Sequence, residues 1–278
     1  MGSDTSTATL VALLEHAPAA VSREGIHREG GEAILERELG LFASAAIADA
    51  EAQLQQWQSR GWSVVSVFDD GYPCPLRGVA DAPLLLFIAG QKWADDRRAV
   101  AVVGSREPTQ QGCSLAAELT RCLAAAGYTV VSGLAAGIDT VVHRTSLDAG
   151  ARTVAVIGSG LEHRYPPRNA DLQERIEAEG AVISQFLPWT CPSRRSFPAR
   201  NSVMSGLTVA TVIVEASATS GTRVQARSAI SQGRRVLLMS GLLVNDWARD
   251  LSGRGGVEVL DGAGAVVAAL ERQGSLAA

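Results

Sequence analysis

The segment Arg194-Arg195-Ser196-Phe197-Pro198-Ala199-Arg200-Asn201 gathers the side chains best suited to holding a polyanion. Arginines pair with phosphates and an aromatic ring stacks on an unpaired base, the combination that proteins use to hold single strands. Each stacked base is worth on the order of 1–3 kcal/mol. The same residues admit a second reading, in which Phe197 plugs the core and Pro198 opens a helix at its N1 position. The segment taken alone supports both readings equally.

Five further stretches carry a different chemistry. They are Gly104-Ser105-Arg106, the run from Ser132 through Gly133 to Gly137, Gly158-Ser159-Gly160, the run from Glu215 to Ser220-Gly221-Thr222, and Ser240-Gly241. Glycine lets the backbone approach a ligand closely, hydroxyls donate hydrogen bonds, and a helix that follows offers free amides and a partial positive charge. Together these make phosphate cradles. A tight turn needs glycine for steric reasons alone, so one such loop says little. Five at one sheet edge point to a phosphate-bearing ligand.

Several ligands and chemistries are excluded by motif. Gly104-Ser105-Arg106-Glu107-Pro108 is not the G-x-G-x-x-G of dinucleotide folds, and no G-x-x-x-x-G-K-[ST] occurs. Neither H-E-x-x-H nor G-x-S-x-G is present. Asp139 and His143 stand four apart, which a helix cap or an i,i+4 pair explains more simply than an acid–base couple. Cys74, Cys113, Cys122 and Cys191 form no C-x-x-C pair, and reduced, mostly buried thiols are expected. The reading is of a binding protein with no cofactor, no metal and no catalytic residues.

The elements that must position these residues follow from apolar spacing. Thr7 to His16, Glu32 to Leu39 and Ala43 to Trp57 have helical periodicity, giving a small helical N-terminal region over 1–60. Trp62–Phe68 and Leu84–Ile88 have strand composition, with a turn at Asp69-Asp70-Gly71-Tyr72-Pro73 and a linker at Gly90–Asp96, so 61–97 is a strand-containing extension. From 98 to 278 short apolar strands alternate with helices. The strands are Val100–Val103, Tyr128–Val131, Thr153–Ile157, Val182–Gln185, Leu207–Val214 and Arg235–Met239. The helices include Ser114–Ala126, one through Val142–Leu147, Leu172–Ala178 and Val224–Ile230. Such alternation implies right-handed β-α-β units and a mostly parallel, doubly wound sheet, an α/β Rossmann-like domain. Ligands of open parallel sheets bind outside the carboxyl ends of the strands, where the glycine loops fall.

Composition agrees with a folded chain of 278 residues, 46% hydrophobic and 19% charged. No apolar run nears the roughly 20 residues needed to span a bilayer, and the N-terminus MGSDTSTATLVALLEHAP lacks the basic start of a signal peptide. A cytoplasmic location is expected. The net charge is −4, yet Trp189 to Arg235 holds seven arginines against one acid, Glu215. A locally positive site on an acidic protein is therefore feasible, because the field depends on local geometry.

These residues resemble the DprA/Smf DNA-processing family. The match runs through Asp70-Gly71-Tyr72-Pro73, Val102-Val103-Gly104-Ser105-Arg106 and Ser132-Gly133-Leu134-Ala135-Ala136-Gly137-Ile138-Asp139. It continues through Ile157-Gly158-Ser159-Gly160, Tyr165-Pro166-Pro167, Phe197-Pro198-Ala199-Arg200-Asn201, Glu215-Ala216 and Ser220-Gly221-Thr222. The resemblance implies a homodimeric protein that binds single-stranded DNA and passes it to a RecA-type recombinase in transformation. It further implies a pocket where Ser105 and Arg106 hold a phosphate, Phe197 stacks on a base, and Arg194 and Arg200 hold the backbone. Gly133, Gly137, Gly158 and Gly160 would line its floor. The chain departs from the family pattern at Ser202, at Ser240-Gly241 and over 242–255, and no winged helix is expected after Ala278. Two other readings compete. One is a sensor of a nucleotide or nucleotide derivative in the wider superfamily, serving stress or phage defence. The other is a nucleotide-cleaving phosphoribohydrolase, which wants P-G-G-x-G-T-x-x-E where this chain has Ser220-Gly221-Thr222-Arg223-Val224.

Overall fold

The computed structural model describes residues 5–91, 98–217 and 221–274. Four helices come first: α1 (Thr7–His16), α2 (Arg23–Glu29), α3 (Gly31–Leu39) and α4 (Ala43–Ser59). The Ser6 hydroxyl accepts from the Thr9 amide at 3.1 Å and the Ser22 hydroxyl from the Gly25 amide at 3.0 Å. Each satisfies an amide that the helix start would leave free. α2 was not foreseen, because Ile26 is its one large apolar residue and sets no period.

Then follow β1 (Trp62–Ser66), the one-turn α5 (Cys74–Arg77), β2 (Leu85–Gly90), β3 (Ala99–Val103), α6 (Gln110–Ala125), β4 (Thr129–Ser132), α7 (Ile138–Asp148) and β5 (Thr153–Val156). The chain continues with α8 (Ala170–Glu179), β6 (Ala181–Ser184), α9 (Ser196–Gly206), β7 (Ala210–Ile213), α10 (Thr222–Ser231), β8 (Arg235–Met239), α11 (Asp246–Ser252), β9 (Val257–Leu260) and α12 (Ala263–Gly274).

The strands form one nine-stranded sheet in the order β1-β2-β6-β5-β4-β3-β7-β8-β9. From β6 to β9 every pairing is parallel, the doubly wound α/β arrangement expected from the alternation. The segment read as an extension supplies two strands of this same sheet: β1 pairs antiparallel with β2, and β2 with β6. The linker expected at Gly90–Asp96 falls mostly on residues 92–97, outside those described; Gly90 closes β2.

Alternation along β3 shows how the sheet is clothed. Ala99, Ala101 and Val103 face Val203, Met204 and Ala226 of α9 and α10, whereas Val100 and Val102 face Leu119 and Val266 of α6 and α12. Burial on both faces is why the strand reads as one apolar run. The N-terminal helices pack on the second face beside the antiparallel strands. There Trp57 meets Phe87 edge-on at 5.4 Å.

Two expectations are corrected, and two elements were not foreseen. The strand read as Leu207–Val214 is shorter, because its first residues follow directly from α9. α11 and β9 were not read at all, because seven residues set no helical period and because Glu258 interrupts the apolar run of β9, a half-buried edge strand. The cysteines are not mostly buried: Cys74 and Cys191 are exposed, and Cys113 and Cys122 half-buried. Cys74 and Cys191 each stand beside a proline, Pro73 and Pro192, at the start of a turn or loop, and that keeps them outside the packed layers.

β3 has β4 on one side and β7 on the other. Loops leaving β3 and β7 therefore diverge, and a crevice opens at the carboxyl ends of the strands.

A candidate nucleic-acid cleft at the switch point

The crevice is a cleft of about 560 Å³ lined by the loops after β3 and β7 and by the start of α9. A second hollow of about 210 Å³ adjoins it, and both share Arg106, Phe197 and Arg200. Both hollows lie at the sheet edge where the glycine loops were expected.

The β3 loop is folded on itself and on α7. The Ser105 hydroxyl accepts from the Glu107 amide at 3.1 Å, and the Ser105 carbonyl accepts from the Ile138 amide at 3.0 Å. Gly137, with φ 84°, allows that approach, because a Cβ there would collide with the Ser105 and Arg106 backbone. Gly104 is equally confined: its Cβ would fall 2.5 Å from Ile138 Cγ1. Arg106 is left exposed at the lip.

α9 is where the two readings of the Arg194–Asn201 segment meet. Ser193 and Ser196 exchange amide-to-hydroxyl hydrogen bonds at 2.9 and 3.1 Å, which fixes the start of the helix. The Ser196 hydroxyl donates to the Gly158 carbonyl at 2.5 Å, tying α9 to the end of β5. Phe197 then lies across Gly158, whose Cβ would sit 2.7 Å from Cδ1 of the ring. Phe197 is half-buried, neither a core plug nor a free side chain. Its ring centre is 5.4 Å from the Arg106 guanidinium carbon and 5.8 Å from the ring of Tyr165.

Arg200 sits differently from the role its family motif implies. It is 5% exposed, and Nη1 donates to the Gly133 carbonyl at 2.5 Å and the Val156 carbonyl at 2.8 Å. Four residues into α9, its side chain runs down to the ends of β4 and β5, and the bonded guanidinium forms the floor between the two hollows. Gly133 is glycine because a Cβ would occupy the space of that guanidinium. Arg194, by contrast, is exposed at the edge of the larger hollow, beside Asn201.

A buried polar group lies under this floor. Burial pushes the Asp139 carboxyl up, while the positive charge of Arg200 opposes that shift. His143 is lowered to about 3 by burial and then by Arg200, so it is neutral at ordinary pH. Its Nδ1 donates to the Thr153 hydroxyl at 2.8 Å, because that hydroxyl gives its own proton to the Val130 carbonyl at 2.9 Å. A sealed, neutral imidazole of this kind is a packing group.

Not every expected residue lines the cleft. Gly160 packs against the Leu187 and Pro188 carbonyls, and its amide donates to the Thr190 carbonyl at 2.8 Å. Ser159 is only 2% exposed at the rim of the smaller hollow. Gly221 and Thr222 open α10 on the cleft, with Thr222 buried. Ser220 lies outside the described residues. Ser240 turns away and donates to the Asp261 carboxylate at 2.9 Å, at the end of β8, the strand beyond β7.

Tyr165 and Arg168 were passed over as site residues. Tyr165 is 42% exposed, and it lines the smaller hollow with Arg168. Their signal was present: an aromatic and a cation bracketing two prolines, Tyr165-Pro166-Pro167-Arg168, repeat the mixture of the Arg194–Asn201 segment. Among the described residues no grouping of His, Cys, Asp and Glu could hold a metal ion, and no helix is long and apolar enough to cross a membrane.

The profile of the family described as DNA recombination-mediator protein A matches residues 63–272. The chain is 33% identical over 196 residues to DNA processing protein DprA of Bacillus subtilis, covering 70% of this chain and 66% of that protein. To DprA of Streptococcus pneumoniae it is 38% identical over 180 residues, 65% of this chain and 64% of the relative. It thus spans just under two thirds of the length of each of these two proteins. The solved structure of the S. pneumoniae protein superposes with a TM-score of 0.71 at 28% identity, covering 96% of this chain and 94% of that one. A Helicobacter pylori DNA processing protein A, solved for its single-stranded DNA binding mode, gives a TM-score of 0.68 at 25% identity over 76% of this chain and 96% of that one. By sequence and fold, the chain belongs to the DNA recombination-mediator protein A family.

Proposed function

We propose that this chain binds single-stranded DNA in the switch-point cleft and acts as a recombination mediator, without catalysis of its own. The observation that carries the reading is the meeting of Phe197, Tyr165 and Arg106 at the junction of the two hollows. Two accessible rings offer stacking faces for unpaired bases, and Arg106, Arg168 and Arg194 stand around them for the phosphates. A duplex keeps its bases stacked inside, so it cannot use those faces. The H. pylori relative's single-stranded DNA binding supports the same assignment. Delivery of the bound strand to a RecA-type recombinase follows the family's description as a recombination mediator, and a homodimer and a cytoplasmic setting complete the proposal.

Fluorescence anisotropy with labelled oligo-dT, competed by duplex DNA and by free mononucleotides, tests the reading. Binding that resists duplex competitor is the expected result. A second reading, a nucleotide sensor, draws on the cleft's volume of about 560 Å³, which accommodates a mononucleotide. Efficient displacement of oligo-dT by a mononucleotide favours that reading. Equal affinity for duplex and single strand would sink the proposal.

A further inference from the structure

In β-α-β nucleotide folds, the amino end of the helix after the first strand of the parallel sheet is where a phosphate commonly docks. Here that end of α6 is already filled. Glu215, two residues past β7 on the other side of the switch point, extends its carboxylate to it. Oε1 accepts from the Thr109 amide at 2.9 Å, and Oε2 accepts from the Thr109 hydroxyl at 2.5 Å. That hydroxyl in turn accepts from the Gly112 amide at 3.0 Å. Glycine at 112 makes the room, because a Cβ there would run into Oε2 and lie 2.8 Å from Cδ of Glu215. Gly104, which lines the cleft, is pressed against the Glu215 carbonyl in the same way, at 3.0 Å from a Cβ. A carboxylate on free helix amides is favoured by the helix field as a phosphate is.

We infer that Glu215 is a built-in substitute for phosphate, a specificity determinant that bars free nucleotide phosphates from the amino end of α6, which stands beside the cleft two residues beyond Glu107 of its lining. This rests on reading the cleft as a nucleic-acid site. Glu107, exposed in the same cleft, adds a second negative charge on this side, whereas Arg106, Arg168 and Arg194 line the hollows to which Phe197 belongs. The site then holds a strand by its bases and by the arginines near Phe197. It offers a mononucleotide no open helix end for its phosphate.

A helix cap and an exclusion device respond differently to anions. The chain and its Glu215→Ala and Glu215→Gln variants are compared by thermal melting against inorganic phosphate and by calorimetry with thymidine 5′-monophosphate. Glu215→Ala is expected to melt lower without phosphate and to recover with it. It should bind the mononucleotide on the order of tenfold tighter than the parent, the worth of a charge-assisted hydrogen bond. Glu215→Gln keeps the seat filled and should follow the parent. Equal destabilisation of Glu215→Ala with and without phosphate, and no gain in mononucleotide affinity, overturns the inference and leaves Glu215 a helix cap. Should Glu215→Ala not fold, the Thr109 and Gly112 amide resonances of the unmodified chain decide. They should stay fixed through a phosphate titration, and a saturable shift overturns the inference. Oligo-dT binding by the unmodified chain is measured alongside. Its absence removes the single-strand reading, while the phosphate arms still decide what Glu215 does.

Discussion

The guanidinium carbon of Arg106 lies 5.4 Å from the centre of the Phe197 ring, across the junction of two hollows. Arg106 leaves the sheet at the end of β3 and Phe197 enters it in the first turn of α9, 91 positions later by their numbers. One ring thus faces a cation and a second ring, Tyr165, at 5.8 Å. Truncating Phe197 removes the shared stacking face. Phe197→Ala should weaken oligo-dT binding by about 1–3 kcal/mol. Its loss of stability should be smaller than the roughly 3–5 kcal/mol of a buried aromatic, because the ring is half-buried. Melting temperature and affinity measured together test this. A large melting loss with unaltered affinity removes Phe197 from the site.

Arg106 and Arg200 should separate cleanly despite both lining the cleft. Arg106→Ala is expected to leave folding intact and to lower the salt slope of oligo-dT binding by about one. Arg200→Ala takes the donors from the Gly133 and Val156 carbonyls and the opposing charge from Asp139. Breaking such a buried arrangement costs about 3–5 kcal/mol, read as a lower denaturant midpoint. An Arg200→Ala chain as stable as the parent contradicts the floor role.

Gly158→Ala probes the seat of the ring. The added methyl would stand 2.7 Å from Cδ1 of Phe197 and 3.1 Å from Cε1. The ring must shift, and with it the contact to Arg106. Oligo-dT affinity should fall without a change in the salt slope, because no phosphate contact is deleted. Unchanged affinity shows that the bound strand does not depend on the ring's present position.

His143 gives stability a pH signature. In the unfolded chain it takes a proton near pH 6.5, while burial holds the folded group at about 3. The unfolded state therefore binds more protons between these values. The contribution is complete above about pH 6.5 and is lost as pH falls from there. At pH 5.5 the loss should be about 1.4 kcal/mol relative to neutral pH. Denaturant unfolding at pH 7.5 and 5.5 checks it, and His143→Gln should shrink the difference by that amount. The same pH dependence in both chains assigns it to another group.

How far the sequence reached is clearest at individual residues. β3, β4, β5 and β8 were legible because strands buried on both faces read as unbroken apolar runs, closed by glycine and hydroxyls. That pattern also fixed the sheet edge on which Gly104, Ser105 and Arg106 would stand. α2 and α11 went unread because seven-residue helices set no period, and β9 because Glu258 breaks the apolar run of a half-buried edge strand.

Local sequence could not show on which side of a loop a polar side chain would fall. Arg194 and Arg200 stand six positions apart on one basic segment, yet Arg194 meets solvent and Arg200 is 5% exposed. Once α9 packs over the ends of β4 and β5, helix geometry turns Arg200 inward, where carbonyls that the strands leave free require a donor. Glu215 shows the same division. Its place just past β7 was visible in the chain, but its bond to Thr109, on the far side of β3, exists only because β7 crosses over to pair with β3. The sequence by itself determined the strands, their order along the chain and the chemistry of their loops. The tertiary structure decided which of those groups became floor, which became rim and which filled one another's sites, because those choices depend on contacts between segments far apart in the chain.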